Sequence, residues 1–577
     1  VLRSHQWLAG TDEVAVSHRV ALRSAGLTLP DDPDSTASPR PVIGIADSSS
    51  DLNPCNLPLR ELAAAAAEGV LEAGGLPVRF PTMSLGEDLM KPSAFLYRNL
   101  LAMEIEETIR ANPLDGVVVL ANCDKTVPAV LMGVASADIP AIAVLGGARP
   151  TSQFRGRAIG TGTDLWRLWE DHRAGRLDDP GWRELEQCLG CGVGACNTMG
   201  TASTMALLTE ALGMALPGKS IAPAGSPESI EAARAAGRRA VQLALDDIRP
   251  RDILTEAAFE NAIRVLHAIG GSTNAIIHLP AIAGRLGIRL RPSRMSELGR
   301  GVPVLADVEP SGALLIHDFH RSGGLPALER EIADLLQLDA LTCAGTTVRQ
   351  NIAAAAARGP TIRQRGKELA TDGSFRVVAG SLAPDGAVIK TSAATKALLR
   401  HTGPALVFHG YQDLRERIDD PELAVTADTV LVLEGCGPVG VPGMPEWGMI
   451  PIPAKLAAAG VSDMVRISDS RMSGTSFGTV FLHAAPEAAI GGPLALVHDG
   501  DLVAVDVEAG TIDLLVEPGE LERRRKDWAA PFSPHVRGWP ALYQKHVTQA
   551  PQGCDFDFLQ APTDEFPAFV QPVVGRS

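Results

Sequence analysis

The feature that most constrains this chain is the regular exchange of short apolar runs with helical patterns through its first two thirds. Pro41-Val42-Ile43-Gly44-Ile45-Ala46 reads as a buried strand, and residues 59–73 as an alanine-rich helix stopped at Gly74-Gly75. The same reading gives a strand near 78–80, a helix over 93–110, a strand at 116–121, a helix over 127–137 and a strand at 141–145. Strands this apolar, each separated by a helix, call for a parallel sheet whose two faces are covered. In such sheets ligands gather in loops beyond the carboxyl ends of the strands.

Near residue 375 the texture changes. Arg376-Val377-Val378-Ala379-Gly380 and Ala387-Val388-Ile389-Lys390, around Pro384-Asp385-Gly386, read as a hairpin. The runs 429–433, 494–497 and 502–507 are also strand-like, and 520–528 reads as a charged helix. With 577 residues the chain is too long for one core. The expected fold class is therefore α/β: an N-terminal parallel-sheet domain over 1–375 and a C-terminal, mainly β, barrel-like domain over 376–577.

A net charge of −16 repels phosphate backbones and argues against a nucleic-acid partner. An anionic substrate would need a local cation or metal. Eight cysteines spread over this length do not form a disulfide framework, which fits a reduced, cytoplasmic setting. The first residues carry no apolar signal core. The apolar stretch 129–148 reaches membrane length, but Asp138 and Pro140 divide it into a helix and a strand, so no membrane span is expected.

Three cysteines sit far apart in loops rich in turn or polar residues: Asn53-Pro54-Cys55-Asn56, Asn122-Cys123-Asp124-Lys125 and Ala195-Cys196-Asn197-Thr198. Cys55 and Cys123 each follow a predicted strand by a few residues. An iron–sulfur cluster held by four thiolates is coordinatively full, whereas three leave one iron open to substrate. Cys188-Leu189-Gly190-Cys191 offers a zinc or redox alternative, but no second pair at finger spacing completes it. Asp124 and Lys125 by themselves suit an ordinary helix start, Glu87 a solvated loop, and Ser473 a backbone-satisfying turn. No Gly-x-Ser-x-Gly elbow surrounds Ser473, which argues against a serine hydrolase.

Taken together the motifs are specific. Residues 123–133 and Ser468-Asp469-Ser470-Arg471-Met472-Ser473-Gly474-Thr475 resemble two signatures of the dihydroxyacid dehydratase/phosphogluconate dehydratase family. Asn53-Pro54-Cys55-Asn56, the block 196–202 and the block 438–446 are similar to further family segments, in the same order along the chain. The resemblance implies that Cys55, Cys123 and Cys196 bind the cluster, and that Glu87, Asp124 and Glu446 bind Mg2+. Lys125 matches a family lysine that can be carbamylated into a metal-binding group and that, unmodified, would be a catalytic cation beside the substrate carboxylate; Ser473 is the implied base. Cys343, Cys436 and Cys554 are then structural thiols, the last two near enough to border the site.

The implied reaction is dehydration of a 2,3-dihydroxy carboxylate to a 2-oxo-3-deoxy acid. Ser470, Thr475 and Phe95-Leu96-Tyr97-Arg98-Asn99-Leu100 resemble the sugar-acid branch rather than the branched-chain biosynthetic one. That implies an aldonate substrate, with Thr475 as a substrate-binding hydroxyl, and a [2Fe–2S] rather than a [4Fe–4S] cluster. Branched-chain dihydroxyacid dehydration and a non-catalytic iron–sulfur sensor are the alternatives. A site closed within a homodimer or homotetramer would protect an open iron.

Overall fold

The computed structural model describes residues 2–29, 40–190, 192–562 and 570–576. Strands β1 (Val42–Asp47), β2 (Leu76–Pro81), β3 (Gly116–Ala121) and β4 (Ala141–Leu145) form a parallel sheet in the order β2-β1-β3-β4. β1, β3 and β4 are buried at every position, as a sheet covered on both faces requires, while β2 at the edge is only partly buried. On one face the helices Leu59–Glu72 and Pro227–Asp246 touch backbone to backbone. A Cβ on Gly69 would lie 1.9 Å from the Arg234 carbonyl oxygen, and one on Gly237 2.1 Å from that of Ala66. Only glycine permits that approach.

The strand–helix exchange extends only as far as Leu145, not through two thirds of the chain. After a short hairpin of β5 (Ser152–Phe154) and β6 (Arg157–Ile159), the described residues up to 352 form helices without further named strands. Several, such as Thr201–Ala211 and Ala275–Gly284, are buried on nearly every side. Run length and hydrophobicity alone do not separate such helices from buried strands.

The C-terminal region is a single eight-stranded sheet. Its strands are β7 (Arg376–Val378), β8 (Gly386–Ile389), β9 (Arg400–His409), β10 (Val430–Glu434), β11 (Arg466–Ser468), β12 (Val480–Ala485), β13 (Leu502–Asp506) and β14 (Thr511–Leu514). They lie in the order β14-β13-β9-β10-β11-β12-β8-β7, with β9 to β12 parallel and the flanking pairs antiparallel. The two ends meet: the Ala379 N–H donates to the Gly510 carbonyl at 3.0 Å, and the sheet is a nearly closed barrel. Val378, Ile389, Val407, Val432, Ile467, Phe481 and Val503 are among the residues of its core. The strand expected at 494–497 is instead a 3₁₀ turn, Pro493–Leu496, whose Pro493 lacks the N–H a ladder needs. Among the described residues, no helix is long and apolar enough to cross a membrane, and the described cysteines are free thiols.

His267 marks the junction of the helical region with the start of the barrel. Its ring stacks on Phe375 at 3.9 Å and accepts from the Ser374 N–H on Nδ1, while Nε2 lies 3.0 Å from the Met295 carbonyl, which it can only reach as a donor. This is the neutral tautomer, and burial pushes the pKa down to about 4 against the Met295 hydrogen bond that raises it. Protonation therefore favours the unfolded chain. The contribution is complete above pH 6.5 and is lost as pH falls towards 4, up to about 3 kcal/mol. Urea midpoints measured across that window should fall less steeply for His267→Gln than for the parent. Parallel slopes would show that this ring is not a source of acid lability.

Candidate active site

Both sheets aim their carboxyl ends at one cavity of about 560 Å3. In the order β2-β1-β3-β4 the chain reverses direction of travel between β1 and β3, the place where parallel sheets open a crevice. Cys55 follows β1, Cys123 follows β3, and the Glu87 loop follows β2. From the barrel, the loop after β10 brings Glu446 and the loop after β11 brings Ser473 and Thr475. Cys55, Cys123, Cys196, Glu87, Asp124, Glu446, Ser473 and Thr475 all line this cavity, and Lys125 lies fully buried behind it.

The cysteine loops are tied to one another by backbone and amide hydrogen bonds. Asn122 Nδ2 donates to the carbonyls of Cys55 (2.6 Å) and Gly147 (2.9 Å), and Asn56 Oδ1 accepts from the Cys123 N–H at 2.9 Å. Cys196 does not follow a strand. Its loop is drawn in because the Ala195 N–H donates to Gly147 at 2.9 Å, the Gly194 N–H to Pro54 at 3.1 Å, and the Arg149 N–H to Ala195 at 2.9 Å. Gly147 has φ +77°, and a Cβ there would meet the Ala222 carbonyl at 1.9 Å, so this crossing also demands glycine.

A hydrogen bond with Cys55, then burial, then the charges of Cys55 and Asp124 push the Cys123 thiol well above its ordinary pKa. Burial, followed by Cys55, does the same to Cys196, against the pull of Arg149, whose guanidinium faces both sulfurs. Thiols that resist ionisation alone yet share one wall suit a soft metal centre, whose positive charge stabilises the thiolates. As a donor set they fit an iron–sulfur cluster.

The oxygen ligands surround an amine. Lys125 Nζ contacts Asp124 Oδ2, lies 2.8 Å from Glu446 Oε1 and 3.4 Å from Glu87 Oε2. Burial opposes charge on Lys125, but the three acids overcome it and raise its pKa. Burial likewise opposes charge on Glu446, but Lys125 and Arg471 prevail and hold it at about 2. Glu87 goes the other way, raised by burial despite Lys125. Its Oε2 is buried without a hydrogen-bond partner. Among the described residues no three acidic, histidine or cysteine side chains are already gathered in metal-ligating geometry. The acids here are gathered by the ammonium instead. Three carboxylates around one point cation, one oxygen still unsatisfied, is nevertheless a donor set that fits a hard divalent ion.

Several supporting residues escaped the motif reading. Arg471 Nη1 donates to Glu446 Oε1 at 2.8 Å and its Nη2 to Ser93 Oγ at 3.0 Å, while Ser93 donates to Glu87 Oε1 at 2.7 Å. One guanidinium thus orients two of the acids. Asn274 Nδ2 donates to Glu446 Oε1 at 2.8 Å. A bridge between Trp447 and Met472 holds the two barrel loops side by side. Gly270-Gly271-Ser272-Thr273-Asn274 was the available signal, a turn-forming run with no loop chemistry to occupy it.

Ser473 Oγ and Thr475 Oγ1 are 2.9 Å apart, and Thr475 Oγ1 accepts from the Trp166 indole N–H at 3.0 Å. With both partners in the protein, the Thr475 hydroxyl would not be stranded by an alkyl substrate, so polarity at this position does not discriminate between substrates. Cys188, like Trp182, packs against the small cluster of Phe154, Ile159, Leu177 and Leu185, and Cys191 lies outside the described residues. Cys343 is in the main core, Cys436 backs the β10 loop, and the Cys554 sulfur lies 3.9 Å from that of Met444, two residues before Glu446.

Comparison with known proteins finds relatives over nearly the whole chain. Residues 40–351 match the family profile described as dihydroxy-acid/6-phosphogluconate dehydratase N-terminal, and residues 360–554 the corresponding C-terminal profile. The chain is 46% identical over 564 residues to 6-deoxy-6-sulfo-D-gluconate dehydratase of Pseudomonas putida, covering 97% of this chain and 96% of that one. It is 46% identical over 568 residues to L-arabonate dehydratase of Azospirillum brasilense, covering 97% of each. Against dihydroxy-acid dehydratase of Moorella thermoacetica the identity is 37% over 545 residues, covering 93% of this chain and 97% of that one.

Proposed function

The chain belongs to the dihydroxy-acid/6-phosphogluconate dehydratase family, and we propose that this hydro-lyase dehydrates an aldonate, a pentonate or hexonate, to the 2-oxo-3-deoxy acid. The supporting observation is the meeting, in one cavity, of three thiols, three carboxylates on a buried lysine, and the Ser473 hydroxyl. Cys55, Cys123 and Cys196 would hold a [2Fe–2S] cluster. Glu87, Asp124 and Glu446 would hold Mg2+, joined by Lys125 if its amine is carbamylated. When bound, these groups supply Lewis acidity for a departing hydroxyl and positive charge beside the substrate carboxylate.

The chain's own residues do the rest. Ser473, acting as the alkoxide, takes the proton from C2 on Oγ, the C2–H electron pair becomes the C2–C3 double bond, and the C3–O bond breaks to release hydroxide; return of the serine proton to that hydroxide gives water and restores the alkoxide. The resulting enol ketonises. The family chemistry needs both an electrophilic site and a base on one substrate-sized cavity, and Ser473 shares the wall with the acids and thiols. The aldonate reading draws on the higher identity to the two sugar-acid dehydratases than to the dihydroxy-acid dehydratase. The indole and phenol rings of Trp166, Trp169, Tyr411 and Trp447 also line the cavity, a surface suited to the C–H faces of a sugar acid.

Anaerobically purified holoenzyme offered a panel of pentonates, hexonates and one branched-chain 2,3-dihydroxy acid, with and without Mg2+, tests this directly. Release of 2-oxo acid from an aldonate at a kcat/KM at least about tenfold above that for the branched acid is expected, corresponding to ~1.4 kcal/mol in the transition state. Preference for the branched acid would transfer the chain to the biosynthetic reaction. Iron bound without turnover of any substrate would leave a sensor.

A further inference from the structure

Trp166 is half-exposed on the cavity wall, and its one polar side-chain atom is engaged by the loop of the catalytic serine. An indole nitrogen can only donate, so Thr475 Oγ1 must accept at that contact. Among the described residues the Thr475 hydroxyl has one other partner, Ser473 Oγ at 2.9 Å, and that oxygen is where the threonine proton can go. The Thr475 backbone N–H approaches the same oxygen at 3.4 Å.

The threonine is also wedged in place. A Cβ on Gly162 would lie 2.5 Å from Thr475 Oγ1, and one on Gly200 2.8 Å from its methyl carbon. Thr163 Oγ1 donates to the Thr475 carbonyl at 2.9 Å. The start of the helix Thr163–Arg173 is therefore packed closely against this side chain, with glycine at position 162 making the room.

We propose that Trp166 is a positioning residue for the base: it fixes the Thr475 hydroxyl as a donor to Ser473 Oγ, so that the aligned chain of indole, threonine and serine stabilises the oxygen that removes the C2 proton. Serine and threonine come from the barrel, the indole from the helical region. The base is then complete only when that helix is seated on the barrel loop. The inference rests on Ser473 being the base.

The test is steady-state kinetics of reconstituted holoenzyme on L-arabonate and D-gluconate, comparing Trp166→Phe, Thr475→Val and the double variant. Trp166→Phe should lower kcat about ten- to thirtyfold with KM changed less than about threefold, since a hydrogen bond acting in the transition state is worth that much. On Thr475→Val the same change should cost less than about twofold, because the indole would have nothing to act through. The kinetic isotope effect of C2-deuterated substrate should rise in Trp166→Phe.

Benzothienylalanine at position 166 keeps the bicyclic shape without the N–H, and it should reproduce the loss even if phenylalanine disturbs the helix. An unchanged kcat with this analogue, equal losses with and without the Thr475 hydroxyl, or a change confined to KM would overturn the proposal. Ser473→Ala run alongside separates the two readings. Full turnover by that variant would remove the serine base itself, whereas an inactive Ser473→Ala beside an unaffected position 166 would remove only the role of the indole.

Discussion

Ser473→Ala should lower kcat on an aldonate by about 10²–10⁴, the usual contribution of a positioned general base, while KM stays within about threefold. The side chain is small and touches Thr475 rather than any of the acids or thiols for which contacts are defined. Its removal therefore leaves the Lys125–Glu446 pair and the cysteine loops as they are. Iron per chain and thermal midpoint should match the parent. A loss of iron together with activity would mean that the loop after β11 supports the metal centre rather than carrying the base. Retained turnover with full iron would require another group to take the C2 proton, Ser476 and Tyr411 being the other serine and tyrosine lining the cavity among the described residues.

What could be read from the sequence divides along physical lines. Strands β1, β3 and β4 announce themselves because a strand covered on both faces must be apolar throughout, and their bounds fall within a residue of expectation. The cysteine and acid positions could be named because their local motifs carry them. Their convergence could not, since it depends on pairings such as Gly147 with Ala195 and on a barrel loop reaching the sheet from more than 300 residues away. The barrel-like character of the C-terminal region was legible from its strand-rich texture, but not which strands close it, because closure rests on a few backbone contacts near Ala379. Arg471 and Trp166 were visible as letters but not as parts of the site, for each acts through a neighbour: Arg471 on Glu446 and on Ser93, Trp166 on Thr475. Thr475 shows the converse. Sequence marks it as a cavity hydroxyl, but an unpaired hydroxyl is not what the fold makes of it, because Trp166 and Ser473 supply both partners.

Lys125→Met should be the most damaging single change to both stability and turnover. Methionine keeps an unbranched apolar stem one atom shorter than lysine but leaves Glu87, Asp124 and Glu446 facing one another, with Arg471 still paired to Glu446. Removing one partner from a buried charged cluster typically costs about 3–5 kcal/mol, because the remaining charges keep their desolvation without compensation. In chelator at pH 7 the urea midpoint should drop accordingly. The deficit has a predictable pH dependence. Burial already raises Glu87 above its ordinary value, and losing the ammonium would raise it further and lift Glu446 from about 2. A carboxyl whose folded pKa is raised is stabilising below its unfolded pKa and costly as pH climbs through the folded one. The difference between variant and parent should thus shrink below about pH 4 and be full at neutrality. Millimolar Mg2+ should return part of the lost stability to Lys125→Met, since a dication can gather the acids that the ammonium no longer does, but not to Lys125→Met combined with Glu446→Gln. A midpoint insensitive to the substitution in chelator would mean that the amine does not balance these carboxylates, and the hard-metal reading of the cluster would lose its footing.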